Sequence, residues 1–174
     1  VRVAVVSKYP SVPDACLSVT EAIKHAALQA GVRAVIELVD AQNVTDDTAE
    51  ALLGKHAAIV LPGGFGATGA DGMIAAARFA RENRIPFLAI GYGMQLAVVE
   101  AARSLLQIAD AHTMEADCET KHAVVRIPEE RICQNDSRSR ARMGLSSIKL
   151  ADGMIKTLYG SDCIAERHSN RYEV

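Results

Sequence analysis

The chain has 174 residues, of which 49% are hydrophobic, and its formal net charge at pH 7 is −2. This length suits a single domain with one substantial core, and the small charge gives no general reason to expect a nucleic-acid partner. No apolar run approaches the roughly 18 uncharged residues of a membrane span, and the first residues lack the regions of a signal peptide. We therefore expect a cytoplasmic protein with no membrane partner.

The four cysteines are scattered and form no C-x-x-C pair: Cys16, Cys118, Cys133 and Cys163. This spacing indicates neither a zinc site nor a dithiol redox motif, and we expect no bound metal and free thiols in a reducing cytosol. The one basic cluster, Arg138-Ser139-Arg140-Ala141-Arg142, is typical of a solvated loop rather than of a phosphate site.

Four short apolar runs rich in β-branched residues predict buried strands at 3–6, 35–39, 57–61 and 87–90. Helical patterns alternate with them. The first helix is predicted from a capping box, Ser18 to Glu21, and is stopped by Gly31. Further helices are predicted at 46–53, 71–83 and 92–105. This alternation favours an α/β fold with an open, mostly parallel sheet covered by helices on both faces.

The pattern becomes less regular after about residue 110. Short strands are predicted at 122–127, 147–150 and 164–166, with one or two helical turns at 154–159. No internal repeat or low-complexity linker separates the two halves.

Two glycine-rich turns follow predicted strands, at the sheet edge where ligands bind in open parallel sheets. The first is Leu61-Pro62-Gly63-Gly64-Phe65-Gly66, and the second is Ile90-Gly91-Tyr92-Gly93. Backbone N–H groups of the first turn, together with the N–H of Tyr92, are the parts of an oxyanion hole beside a nucleophile elbow. Gly91 stands at the apex of that elbow and offers neither oxygen nor sulfur. The alternative interpretation is two tight strand-to-helix turns without chemistry.

Longer segments resemble the glutaminase domain of CTP synthase, a class I glutamine amidotransferase, in order along nearly the whole chain. They include VAVVSKY at 3–9, LPGGFG at 61–66, IPFL at 85–88, GMQLA at 93–97, ERH at 166–168 and RYEV at 171–174. The resemblance implies a flavodoxin-like three-layer sandwich. It also implies hydrolysis of glutamine, which supplies ammonia for the ATP-dependent amination of UTP to CTP.

The same resemblance assigns roles to individual residues. Gly63 and Gly64 match the family's oxyanion and substrate loop, with the N–H of Tyr92 as second donor. Gly91 stands where the family has its nucleophilic cysteine. Three further residues match positions that bind glutamine: Gln95 and Glu115 for its polar groups, and Arg171 for its carboxylate. His168 does not match the catalytic histidine of the family's cysteine, histidine and glutamate triad.

Three departures from the family pattern shape our functional hypotheses. The nucleophile position is glycine, no His-x-Glu motif occurs before Val174, and the synthetase domain that binds ATP and UTP is missing. We therefore interpret residues 1–174 as a single glutamine amidotransferase domain, truncated at its C-terminus and inactive alone. The alternative is a pseudoglutaminase that binds glutamine or a partner without catalysis. A third hypothesis is a related hydrolase that uses Cys16 or Cys118.

The resemblance also implies ligands and partners. This domain needs no cofactor of its own, whereas ATP, Mg²⁺ and UTP, with GTP as activator, belong to the full-length enzyme of the family, a homotetramer. The expected ligand is L-glutamine or a covalent glutamine analogue. The expected partner is the synthetase domain.

Overall fold

The structure is a computed structural model that describes residues 1–131 and 141–174. The chain forms two compact units, one of residues Val1–Arg126 with Val174 and one of residues Ile127–Glu173. Within the described residues, no helix is long and apolar enough to cross a membrane. The predictions on Cys133 and on most of the basic cluster, at 138–140, lie outside the described residues.

The first unit is built on a four-stranded parallel sheet in the order β2-β1-β3-β4. Its strands are β1 (Arg2–Ser7), β2 (Val35–Asp40), β3 (Ala58–Leu61) and β4 (Phe87–Ala89). Val5 in the central strand pairs with Leu38 on one side and with Val60 on the other. The four strands predicted from apolar runs are confirmed, and their order is that of the flavodoxin-like class.

Helices cover both faces of this sheet. They are α1 (Leu17–Gln29), α2 (Ala49–Leu53), α3 (Ala70–Glu82) and α4 (Tyr92–Leu105). The larger core lies under α3 and α4, where Met73 and Leu96 are fully buried against strand residues such as Ile59. A smaller cluster on the opposite face packs Val5 against Ile23 of α1.

Two helix starts differ from their predictions. The capping box is wrong, because a 3-10 turn at Pro13–Cys16 runs directly into α1, so that Ser18 already lies inside the helix. Helix α2 begins at Ala49 rather than at residue 46. Thr45 and Thr48 each accept a hydrogen bond from the other's backbone N–H, at 2.8 and 3.2 Å, and these bonds hold a turn ahead of the helix.

Two short parallel strands complete the first unit, β5 (Ala111–Thr113) and β6 (His122–Val125). Strand β5 was not predicted, since three residues are too few to show a periodic pattern. Arg103 of α4 donates from Nε to the carbonyl of Ala111 at 2.8 Å. This hydrogen bond fixes the start of β5 beside the helix.

The second unit contains an antiparallel hairpin, β7 (Arg142–Lys149) with β8 (Cys163–Asn170), and helix α5 (Met154–Tyr159) between the two strands. The helical turns predicted at 154–159 are confirmed. Both strands are longer than predicted, because residues 142–146 of β7 and 167–170 of β8 include no Val, Ile, Thr, Tyr, Phe or Trp, the residues enriched in strands.

Candidate functional site

The turn from β4 to α4 has the geometry of an elbow. Gly91 has φ +55° and ψ −112°, a conformation that residues with side chains rarely adopt outside strained functional turns. The N–H of Ile90 donates to Leu61 at 2.9 Å, and the N–H of Gly93 donates back to Ile90 at 2.9 Å. These bonds fix the turn on both sides of its apex.

The two glycines of this turn, Gly91 and Gly93, have different surroundings. A Cβ atom at Gly93 would lie 2.4 Å from the carbonyl oxygen of Leu61, so glycine is needed there for the close approach of α4 to β3. A Cβ atom at Gly91 would meet no atom within 4 Å. The surroundings of position 91 therefore leave room for a side chain.

The glycine loop that follows β3, Gly63 to Gly66, lies against the first residue of α4. The Tyr92 hydroxyl donates to the carbonyl of Gly66 at 2.6 Å, and a Cβ at Gly64 would lie 3.4 Å from the Tyr92 ring. Burial, aided by the charge of Glu115, raises the pKa of Tyr92, so the phenol remains a hydrogen-bond donor. The exposed Gly63 precedes this contact.

Two backbone donors at this edge remain for a ligand. In the part of the chain that the structure describes, no group accepts a hydrogen bond from the N–H of Gly64 or of Tyr92. Tyr92 is the first residue of α4, where N–H groups lack partners within the helix and favour negative charge. Both donors can stabilise a carbonyl oxygen that becomes negatively charged.

Lys8 follows the buried part of β1 and is itself buried. Its ammonium donates to the carbonyl of Phe65 at 2.5 Å and to the carbonyl of Gly66, and it lies 4.5 Å from the centre of the Tyr92 ring. Burial lowers the pKa of Lys8, and the charge of Glu115 opposes that shift. Sequence reasoning gave this residue no role, although a charge directly after a buried strand lies at the ligand edge of the sheet.

A buried polar network joins Gln95 of α4 to β5 and the residues after it. The side-chain oxygen of Gln95 accepts from the Thr113 hydroxyl at 2.7 Å, and its amide nitrogen donates to Glu115 at 2.6 Å. The Glu115 N–H donates to the Thr113 hydroxyl at 3.3 Å. The structure thus brings together two predicted ligand-binding residues, Gln95 and Glu115, and adds Thr113, for which the sequence carries no signal.

The remaining predicted residues belong to other elements. Arg171 follows β8 in the second unit. His168 lies within that strand, and its Nδ1 is 3.3 Å from the Asn170 side chain. The thiol of Cys16 is buried and donates to the Ser7 hydroxyl at 3.2 Å, whereas Cys118 is exposed. Across 1–131 and 141–174, no three His, Cys, Asp or Glu side chains are grouped to hold a metal ion.

The sheet order, the elbow and the paired glycine turns agree with one family of proteins. The sequence profile described as Glutamine amidotransferase class-I matches residues 11–174. The chain therefore belongs to the class I glutamine amidotransferases.

Individual relatives narrow this assignment to the glutaminase domains of CTP synthases. CTP synthase of Lactococcus lactis subsp. cremoris (strain MG1363) is 43% identical over 175 residues, which cover 99% of this chain and 33% of the relative. CTP synthase of Methanosarcina acetivorans is 40% identical over 176 residues, covering 100% of this chain and 33% of that protein. The chain thus spans about a third of the length of the curated relatives it matches.

A solved structure supports the same assignment. The glutaminase domain of Trypanosoma brucei CTPS with bound acivicin superposes with a TM-score of 0.92 at 35% identity, covering 100% of this chain and 68% of that one. The predicted α/β fold, a parallel sheet flanked by helices, is confirmed by this likeness.

Proposed function

We propose that this chain is the glutamine-binding part of a CTP synthase, built to release ammonia from L-glutamine for the ATP-dependent amination of UTP to CTP. The observation that carries the proposal is the elbow at Gly91, which combines a nucleophile-type conformation with open space for a side chain. With glycine at position 91, the chain has no sulfur to attack the amide. We therefore expect it to bind glutamine without hydrolysing it.

The charges and donors of the site complement free glutamine. The carboxylate of Glu115 suits the substrate ammonium, and we assign the substrate carboxylate to Arg171. The N–H groups of Gly64 and Tyr92, with Gly63 in the same loop, are assigned to the amide oxygen as it becomes negative. Gln95 then acts by holding Glu115, since both ends of its amide already have protein partners.

The proposal extends to the complete protein. ATP, Mg²⁺ and UTP, with GTP as activator, would bind to a synthetase domain that receives the ammonia, in a cytoplasmic homotetramer. Acivicin bound to the Trypanosoma brucei domain supports a glutamine-analogue site of the same kind here.

Restoring the nucleophile tests the proposal. In a Gly91→Cys variant, the thiol would sit at the first turn of α4, where the helix lowers its pKa and favours the reactive thiolate. We expect acivicin to form a covalent adduct at position 91, which peptide mass spectrometry would locate, and L-glutamine to protect against it.

The matched control is Gly31→Cys, which places a thiol at another open glycine with positive φ, +65°, beyond the end of α1. This thiol and the exposed Cys118 and Cys163 should react with iodoacetamide but not selectively with acivicin. Equal acivicin labelling of position 31 and position 91, or no protection by glutamine, would refute the proposed site.

A second function is favoured by the glycine at position 91 itself, since an exposed Gly91 at the apex leaves the elbow intact without chemistry. On this alternative the chain is a pseudoglutaminase that binds glutamine or a partner and regulates. Ammonia assays separate the two functions: glutamine binding without ammonia release by Gly91→Cys in the full-length protein would favour the pseudoglutaminase.

A further inference from the structure

We propose that Lys8 is a positioning residue of the glutamine site, whose ammonium holds the glycine loop against Tyr92 and so sets the two backbone donors. This inference rests on the proposed function for its role in glutamine recognition. The contacts of Lys8 carry it, since they join three separate segments of the chain: the end of β1, the loop after β3 and the first residue of α4.

Lys8 holds the glycine loop through its backbone carbonyls. Two successive carbonyls, of Phe65 and Gly66, accept hydrogen bonds from the Lys8 ammonium, and the Tyr92 hydroxyl donates to the second of them. In a trans peptide the N–H points away from the C=O, so fixing these carbonyls fixes the planes of two neighbouring peptides. Without these bonds, the loop that starts at Gly63 would have several backbone conformations available.

Lys8 also contacts the two residues that carry the backbone donors. The Lys8 stem would lie 3.0 Å from a Cβ at Gly64, so it packs directly against the residue whose N–H has no acceptor among residues 1–131 and 141–174. Its ammonium lies over the ring of Tyr92, which supplies the other N–H. One side chain therefore touches both residues that we assign to the developing negative charge.

The burial of Lys8 is unusual for a lysine. Lysine is rarely buried without a partner, because removing an ammonium from water is unfavourable. Here it is 6% exposed, and within the described residues its ammonium donates to two loop carbonyls. A buried cation with such partners fits a residue that fixes a loop better than one that only fills the core.

Amide hydrogen exchange tests the loop contact without any ligand. Lys8→Met keeps the apolar stem and removes the charge, and we expect amides of residues 63–69 to exchange about tenfold faster or more, since hydrogen bonds to charged groups are lost. Lys55→Met is the matched control, because Lys55 is an exposed lysine of the same unit that pairs with Glu37. Unchanged exchange at 63–69 in folded Lys8→Met would overturn the proposal. If Lys8→Met fails to fold, Lys8→Gln, which keeps an N–H donor without the charge, takes its place with the same two outcomes.

Labelling of a Gly91→Cys background tests the link to glutamine recognition. Adding Lys8→Met should slow acivicin labelling at position 91 by about tenfold or more, while iodoacetamide labelling, which needs only an accessible thiol, stays unchanged. General unfolding would instead raise iodoacetamide labelling, because it exposes thiols while it removes the acivicin site. Equal acivicin rates with and without Lys8→Met would refute the positioning role. Failure of acivicin to label the background variant would instead refute the proposed function, and the exchange experiment would still decide the loop contact.

Discussion

At the scale of single residues, Gln95 is held at both ends of its amide. Three hydrogen bonds form a closed ring: Thr113 donates to the Gln95 oxygen, Gln95 donates to the Glu115 carboxylate, and the Glu115 N–H donates to Thr113. Because Thr113 has only one hydroxyl proton, its donation to Gln95 fixes which end of the amide faces Glu115. The position of Glu115 thus depends on a threonine to which we assign no part in binding the ligand.

This ring leads to a prediction for Thr113→Val, which keeps the shape of the side chain and removes the hydroxyl. The Gln95 oxygen loses its partner in a buried place, and we expect the free energy of unfolding to fall by about 1–3 kcal/mol. Urea denaturation measures this change, and calorimetry should show weaker glutamine binding. Thr113→Ser retains the hydroxyl and should lose much less. Equal losses for valine and serine would show that the methyl group, not the hydrogen bond, matters.

At the scale of secondary-structure elements, one ion pair joins α3 to α4. The Arg81 guanidinium binds Glu100 through Nε at 3.1 Å to both carboxylate oxygens and through Nη2 at 2.8 Å. Burial alone would raise the pKa of Glu100, but hydrogen bonds from Arg81 and Ser104 outweigh it, and the pKa lies below its usual value. Helices α3 and α4, which cover the larger core, are therefore also joined through the buried carboxylate of Glu100.

The lowered pKa gives a pH dependence with a definite sign. A carboxyl group whose pKa is lower in the folded state contributes stability above its unfolded pKa and loses that contribution as the pH falls through the folded value. We expect Glu100→Gln to reduce the free energy of unfolding by about 1.5–3 kcal/mol at pH 7. The difference in the free energy of unfolding between the variant and the parent protein should shrink progressively as the pH falls below 4.5, the ordinary pKa of a glutamate.

Urea denaturation at a series of pH values measures this gap. Glu82→Gln serves as the control, since Glu82 is an exposed partner of the same arginine at 3.3 Å and should contribute less than about 1 kcal/mol. A gap for Glu100→Gln that stays constant from pH 7 to pH 3 would contradict the assignment of the pKa shift to this pair.

At the scale of the whole molecule, the first unit has unequal cores on the two faces of its sheet. The face under α3 and α4 buries Leu96 and Met73 completely, whereas the face under α1 rests on a small cluster, and α1 has no fully buried residue. The buried apolar surface that drives folding therefore lies mainly on the α3 and α4 face.

The asymmetry predicts unequal effects of core truncation. Leu96→Ala should lower the free energy of unfolding by about 2–5 kcal/mol, because it leaves a cavity in a closed core. Ile23→Ala, on the partly buried face of α1, should lower it by less than about 1.5 kcal/mol, since the Ile23 side chain is already partly exposed to water in the folded protein. Urea denaturation of both variants provides the comparison. A larger loss for Ile23→Ala would show that α1 holds the principal core.

The elements of the first unit could be predicted because their signals are local. Buried strands such as 57–61 are continuous apolar runs, and the helix at 71–83 shows its apolar face at helical spacing. The glycine turns, with Gly64, Gly91 and Tyr92, could be located for the same reason. The hydrogen bonds that Lys8 and Thr113 donate could not, because the acceptors of Lys8 lie 57 and 58 residues away in sequence, the acceptor of Thr113 lies 18 residues away, and these groups meet only through the fold. The start of α1 was misplaced since a capping motif does not reveal that a preceding turn already continues into the helix.

The backbone conformation at position 91 makes a reactive side chain there costly for the stability of the turn. A residue with a side chain is strained by about 1–2 kcal/mol in the left-handed region, and glycine carries almost none of that strain. With φ +55° at the start of α4, the chain as it stands keeps the elbow without this penalty. Returning a thiol to the apex would give the protein a nucleophile and, by the same substitution, a less stable helix start. Glycine at position 91 is thus the residue that gives the more stable turn, and a side chain there would have to be supported by the rest of the fold.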